Sequence, residues 1–368
     1  NNSVSYTEKP DAISFMREWM ALVESGSGER GIFNREASKK QAAKYGRRNP
    51  DHEFGTNPCS EIILRPYQFC NLTEVVVRAT DSVEDLARKV RCATILGTIQ
   101  STFTRFPYLR KVWQRNTEEE RLLGVSLTGI MDNKLMTTQN EGLEKTLEHL
   151  RNIAVSTNME WSKRLGIEPS TSITCVKPSG TVSQLVDSAS GIHARHSDYY
   201  IRTVRGDNKD PLTQFMKDQG IPNEPDVMKP DATTVFSFPV KSPDGAIVTK
   251  DLTAIQQLET WLIYQRHWCE HKPSITVNVQ KDEWFEVGAF VYKHFDEMSG
   301  VSFLPYNEHT YQQAPYQEVG QTDYDMLLSL MPEKIDWTKL SEYEQEDNTV
   351  GMQSMACSGD VCEIVDLT

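Results

Sequence analysis

The alternation of short apolar runs with longer helical patterns most constrains what this chain can fold into. Residues 172–176 are apolar, and strand-like runs recur over 71–78, 199–204, 235–240, 274–279 and 301–304. Helical patterns near 211–219, 252–269 and 282–298 separate the later ones. Upstream, Asp11 opens a helix that Gly26 and Gly28 end. Ser82 followed three residues later by Asp85 is a capping signature, and it predicts a long helix through about Thr104. Two more helices are predicted over 117–135 and 141–165, and the polar stretch after Gly28 reads as loop. Val75, Val76 and Val77 suggest a strand covered on both faces. The pattern predicts an α/β architecture with five or six largely parallel strands.

With 368 residues, 38% of them hydrophobic, the chain is long enough for one large domain or two ordinary ones. No apolar run is long enough to span a bilayer, and no charged segment with an apolar core opens the chain, so neither membrane nor secretion is expected. A net charge of -13 argues against a nucleic-acid surface. Arg195, Arg202 and Arg205 are candidates for a local basic pocket, the alternative being arginines that are solvated or paired. The seven cysteines are unevenly spaced, unlike a disulfide framework, which indicates a reducing, cytoplasmic compartment. Cys92, Cys175 and Cys269 read as packing residues.

The chemistry concentrates in Asn57-Pro58-Cys59-Ser60-Glu61, with a second thiol, Cys70, eleven residues after Cys59. In an extended segment, side chains at i, i+2 and i+4 share one side, so Asn57, Cys59 and Glu61 would converge. A cysteine can carry a radical or act as a nucleophile, a glutamate can move a proton, and an amide can orient hydroxyl groups without titrating. The same residues also read as a loop with a buried cysteine and an incidental acid.

Lys177-Pro178-Ser179-Gly180-Thr181-Val182-Ser183 follows a strand and precedes a short helical pattern. Free backbone N–H groups and hydroxyls there suit a phosphate, although a simple turn has the same look and the spacing is not that of a P-loop. Cys357 and Cys362 can reach each other if the acidic segment after Trp337 is flexible. Two cysteines alone lack half of a zinc ligand set. His267 and His271 share a helix spacing but lack the zincin order, so they read as structural and no metal site is assigned. Trp113, Trp161, Trp261, Trp268 and Trp284 read as core.

Three segments, Asn57-Pro58-Cys59-Ser60-Glu61-Ile62-Ile63-Leu64, Cys70-Asn71-Leu72-Thr73-Glu74-Val75 and the 177–183 stretch, resemble the active-site segments of ribonucleotide reductase catalytic subunits. The ending, Cys357-Ser358-Gly359-Asp360-Val361-Cys362, resembles their mobile cysteine pair. Over nearly its whole length the chain is most similar to the adenosylcobalamin-dependent (class II) ribonucleoside-triphosphate reductases. Class I relatives carry a radical-relaying tyrosine pair where this chain reads Val301-Ser302-Phe303-Leu304-Pro305, and Tyr199-Tyr200 lies elsewhere. That difference points to adenosylcobalamin as cofactor.

The resemblance implies a fold and a set of roles. The family fold is a ten-stranded α/β barrel of two five-stranded halves with a central thiol-bearing finger loop. This chain would supply the second half over 1–340, with a flexible redox tail over 341–368. Cys59 would become the thiyl radical, Glu61 the base at the 3′-hydroxyl, and Asn57 the amide holding substrate hydroxyls. Cys70 would be one of two reducing thiols, and Cys357 and Cys362 the relay from a thioredoxin-like reductant. Ser60, Pro178, Ser179, Gly180, Thr181 and Val182 would contact the ribonucleotide substrate. The chain begins at Asn1-Asn2 and lacks the family's N-terminal half, which is therefore an expected partner. Alternatives are a class I large-subunit fragment and a non-catalytic redox or interaction module.

Overall fold

Every residue of the strand Leu123–Thr128 is buried. In the computed structural model this strand lies inside the stretch predicted as helix over 117–135; the observed helix, Lys111–Glu120, ends before it. A strand covered on both faces reads as a continuous run of apolar and small residues, and such a run has no period that separates it from a buried helix. Leu123–Thr128 pairs in parallel with Asn71–Val76 over its full length. Gly124 makes that approach possible: a Cβ there would sit 2.4 Å from Leu72 and 2.9 Å from Ile62. On the other side Val125 bridges Thr174, and Val176 bridges Pro273, both parallel. Asn71–Val76 itself alternates, with Val75 and Val77 buried and Val76 half-buried, so its cover is less complete than its three valines suggest.

The structure describes residues 3–26, 28, 30–306 and 312–344, with the backbone of 355–358 and 361–364. The chain divides into two units, Asn1–Arg195 with Asp244–Tyr306, and His196–Pro243 with Asn307–Thr368. In the first unit a four-stranded sheet runs Val4–Tyr6, Gly31–Asn34, Gly300–Pro305, Thr276–Val279, with parallel, antiparallel and parallel neighbours in turn. Gly31–Asn34 and the helix Arg35–Ala43 occupy the stretch expected as loop; Asn34 caps the helix by accepting from the N–H of Ala37 at 3.1 Å. Such short, polar elements carry too little periodicity to be read.

Capping chemistry was a better guide. Asp11 accepts from the N–H groups of Ile13 and Ser14 at the start of Ala12–Ser25, and Gly26 closes that helix at φ 57°. Ser82 and Asp85 form a reciprocal capping box at the start of Val83–Gln100. This helix packs on Leu143–Leu165 and on the parallel strands, burying Leu86, Val90, Leu147 and Leu150 in one core with Leu123, Val125 and Leu127.

The second unit has a sheet ordered Tyr316–Glu318, Tyr199–Asp207, Thr233–Lys241, Asn223–Pro225, and every pairing in it is antiparallel. The expectation of largely parallel strands fails here. Alternating strand and helix patterns do not carry direction, and the helix Pro211–Asp218 and the short strand Asn223–Pro225 lie in sequence between two strands that pair antiparallel instead of crossing over. Short strands of two to four residues also raise the number above the expected five or six among the described residues. No sheet among the described residues closes on itself. The backbone of Met355–Ser358 and Val361–Ile364 forms an antiparallel hairpin.

Candidate active site at a cysteine-bearing tip

The strands Gly55–Thr56 and Ile63–Leu64 pair antiparallel, and residues 57–62 close the hairpin. Asn57 closes the loop on itself. Its carbonyl accepts from the Ser60 N–H at 2.9 Å, and its Oδ1 accepts from the Ile62 N–H at 2.9 Å. Ser60 stands at φ 66°, a left-handed conformation unusual for a side-chain-bearing residue. The segment is therefore a turn, not the extended strand that would put Asn57, Cys59 and Glu61 on one face. The turn gives them different environments: Cys59 is exposed, Asn57 half-buried and Glu61 fully buried.

Both carboxylate oxygens of Glu61 lack a hydrogen-bond partner in the protein. Burying an acceptor without a donor is costly, so this is the least self-sufficient polar group of the tip. The residues around it come from far along the chain. Lys272 donates from its ammonium to the Ser60 carbonyl and, at 3.1 Å, to the Ser60 hydroxyl. Its main-chain N–H donates to the Glu61 carbonyl at 3.2 Å. Ser274 donates through its hydroxyl to the Cys59 carbonyl at 2.6 Å. The ammonium of Lys177 reaches the Cys59 sulfur at 3.8 Å and the Pro178 carbonyl at 3.3 Å.

Next to Lys272, His271 accepts from the Ile63 N–H through Nδ1 at 3.3 Å and donates from Nε2 to the Leu123 carbonyl at 2.9 Å. Burial, with a contribution from Arg48, pushes its pKa down to about 3, so the ring is neutral. It is a structural residue, as its sequence setting suggested. His267 instead meets Glu148 at 2.9 Å. Lys272 is 1% exposed, and burial lowers its pKa to about 8 against the opposing pull of Glu61 and Cys269.

Cys70 is half-buried at the start of Asn71–Val76. Desolvation and then the Glu61 charge push its thiol up to about 12, with Lys177 and Arg48 acting the other way. It is a neutral thiol at physiological pH. The segment before it is anchored by buried charge: Arg48 forks onto both oxygens of Glu120 at 3.0 Å, and Gln68 bonds the same carboxylate. Cys175 and Cys269 are fully buried, as expected of packing residues, and burial raises both thiols. Cys92 is exposed, because it lies on the outer face of Val83–Gln100, where a helical pattern alone does not say which side faces out.

After Val176 the chain turns through Pro178 and Ser179 into a short helix, Thr181–Leu185. Ser179 is buried, its N–H donates to the Ser190 hydroxyl at 2.9 Å, and its own hydroxyl faces the Glu74 carboxyl, whose pKa burial raises and Ser179 draws back down. The Ser183 hydroxyl turns inward onto the Ser179 carbonyl. Gly180, Thr181 and Val182 are exposed. Opposed positions of an antiparallel pair lie about 4.5–5.5 Å apart at Cα, a disulfide-compatible spacing. The hairpin register places Cys357 opposite Cys362, whose side chains lie outside the described residues.

The candidate arginines are engaged by the protein. Arg195 is buried against Asp132 and Asp187, Arg205 pairs with Asp226, and Arg202 meets the Pro315 carbonyl. Of the tryptophans, Trp261 and Trp268 are core, donating to the carbonyls of Pro273 and Cys175. Trp113, Trp161 and Trp284 are half-buried; Trp113 packs at a tilt against Phe69 beside the Cys70 segment. Sequence reasoning missed Lys272, Ser274 and the role of Lys177. No local signal marks them, since each gains meaning from a contact more than one hundred residues away.

No family model matches this chain. Among curated proteins it is similar to adenosylcobalamin-dependent ribonucleoside-triphosphate reductases. The Lactobacillus gasseri protein is 29% identical over 335 residues, covering 81% of this chain and 44% of the relative. That of Lacticaseibacillus paracasei is 28% identical and covers 99% and 52%, and that of Euglena gracilis is 27% identical and covers 88% and 45%. Among solved structures, a B12-dependent (class II) ribonucleotide reductase has a TM-score of 0.81 at 24% identity, covering 94% of this chain and 52% of that one. The alpha subunit of the Actinobacillus ureae class Id ribonucleotide reductase has a TM-score of 0.55 at 14% identity, with coverage of 83% and 65%. The chain spans about half the length of the curated relatives it matches. It is a homologue of the adenosylcobalamin-dependent ribonucleoside-triphosphate reductases.

Proposed function

We propose that this chain carries the hydrogen-abstracting thiol and the base of a ribonucleotide reductase, converting ribonucleotides to 2′-deoxyribonucleotides together with the rest of the reductase. The observation that carries this reading is Glu61, buried with two unpartnered oxygens, two residues from the exposed thiol of Cys59. A carboxylate so placed lacks a donor that a substrate hydroxyl would provide. On this reading 57–62 is the central finger loop, and the chain is the second half of the ten-stranded barrel.

Cys59, as a thiyl radical, takes the 3′-hydrogen, a step that is reversible because S–H and ribose C–H bonds are close in strength. Glu61 accepts the 3′-hydroxyl proton, and Asn57 orients the hydroxyls through Nδ2, since Oδ1 is committed to Ile62. The 2′-hydroxyl, protonated from a reducing thiol, then leaves as water, a hydrogen from the thiol pair replaces it at C2′, and the hydrogen held on Cys59 returns to C3′. Two electrons come from Cys70 and a second thiol outside this chain as they close to a disulfide; a neutral Cys70 thiol suits hydrogen donation. Cys357 and Cys362 pass electrons on from a thioredoxin-like protein. The substrate phosphates fall to 178–182, where the helix Thr181–Leu185 is too short for a large macrodipole and the N–H groups of the exposed residues 180–182 do the holding, beside the Ser179 hydroxyl that also faces Glu74.

Adenosylcobalamin supplies a carbon-centred radical when bound. The fit of this chain to it rests on Cys59, whose thiol is exposed at the tip and reachable from outside. Mixing the full chain with an N-terminal reductase segment should yield deoxynucleotide only when adenosylcobalamin is added, and Cys59→Ser should yield none while nucleotide still binds. Product from Cys59→Ser, or none from the complete mixture, overturns the assignment.

A further inference from the structure

The geometry points to Lys272 as a positioning residue that holds the Cys59 tip in its left-handed turn and so fixes where Cys59 and Glu61 point. The grip itself is independent of the proposed activity; its catalytic consequence rests on that reading.

Four donated bonds fasten residues 59–61 to residues 272–274, and Lys272 supplies three of them, two from its ammonium and one from its N–H. The fourth is the Ser274 hydroxyl on the Cys59 carbonyl. The ammonium lands on Ser60, the residue whose positive φ makes the turn and which, having a side chain, pays a conformational penalty that glycine would not. Room for it is made by Gly300, where a Cβ would lie 2.9 Å from Nζ and 3.2 Å from the Ser60 hydroxyl. The charge is also expensive. A 1% exposed lysine that faces the Glu61 carboxyl without bonding it is a poor stability choice, because attraction at that remove offsets only part of the desolvation, which a well-packed apolar side chain of similar length avoids. A residue that costs stability yet fastens one loop is better explained by what the loop does.

The ionisable groups facing Lys272 are Glu61 on the tip and Cys269 on its own segment. Lys177, at the Cys59 sulfur, and Glu61 also act on Cys70 and Cys175. When the ammonium loses its proton the charge-assisted bonds to Ser60 weaken.

The test uses the full chain and three variants, Lys272→Met, Lys272→Arg and Gly300→Ala. Hydrogen exchange at the Ser60 and Ile62 amides, corrected for intrinsic rates, reports the turn, and thermal melting reports the whole fold. Wild-type protection at these amides should fall as pH rises through about 8. Lys272→Met should lose about tenfold in protection at pH 7 with no loss of melting temperature, and should show no pH step. Lys272→Arg should keep protection to higher pH, since a guanidinium does not titrate there. Gly300→Ala retains the charge while displacing it, so it should loosen the tip even if Lys272→Met fails to fold. Unchanged tip protection in both Lys272→Met and Gly300→Ala overturns the grip. In the reconstituted mixture, Lys272→Met should cut product yield per site and Lys272→Arg should restore part of it. A loosened tip with undiminished yield overturns the positioning role, whereas absence of product from wild type overturns the proposed function and leaves the exchange result standing.

Discussion

Burial separates the described cysteines more sharply than their spacing does. Cys59 and Cys92 are exposed, Cys70 is a half-buried thiol raised to about 12, and Cys175 and Cys269 are sealed in the core. Alkylation needs the thiolate and access. Brief iodoacetamide treatment at pH 7.5, read by peptide mass spectrometry, should therefore label Cys59 and Cys92 and leave Cys70, Cys175 and Cys269 unmodified. Labelling of Cys70 as fast as Cys59 would contradict the environment described for it. The function proposed above would use this contrast, with Cys59 as the accessible sulfur and Cys70 as the protonated one.

At the scale of elements, the tip depends on how closely the parallel strands approach. Gly124 lets Leu72 and Ile62 meet over Leu123–Thr128, and Ile62 is the residue that Asn57 holds at the end of the loop. Gly124→Ala would force atoms to within 2.4 Å, so the strands must separate or Leu72 must leave its place. The expected cost is about 1–3 kcal/mol, measured by urea unfolding, together with faster exchange at the Ile62 amide. Wild-type stability in Gly124→Ala would mean that this contact has slack the geometry does not show.

For the molecule as a whole, His271 ties the tip, the buried strand and the 271–274 segment together, and it does so only as a neutral ring. Protonation would set an Nδ1–H against the Ile63 N–H. Its folded pKa, about 3, lies below the ordinary value of 6.5, so between those limits the unfolded chain binds the extra proton. Stability therefore rises with pH across this window and is lost as pH falls through it, by on the order of 3 kcal/mol at pH 4. Denaturant unfolding at pH 7 and pH 4 should show that loss in wild type, and His271→Gln should reduce it. Equal acid sensitivity in the variant would place the titration elsewhere.

Much of this was determined by the sequence alone. Caps at Asp11 and Ser82 set helix starts within a residue, because the donor and acceptor involved are three positions apart. The 57–61, 70–75 and 177–183 segments marked the candidate site by residue type. What only the tertiary structure decided is long-range. Leu123–Thr128 became a strand because two neighbours cover it, and the second unit's sheet became antiparallel because of how its strands return. Glu61 became a buried, unpartnered carboxylate, and Lys272 became its neighbour, through contacts spanning about two hundred residues. Local rules act over one turn of chain, whereas burial and charge pairing exist only once distant segments have been brought together.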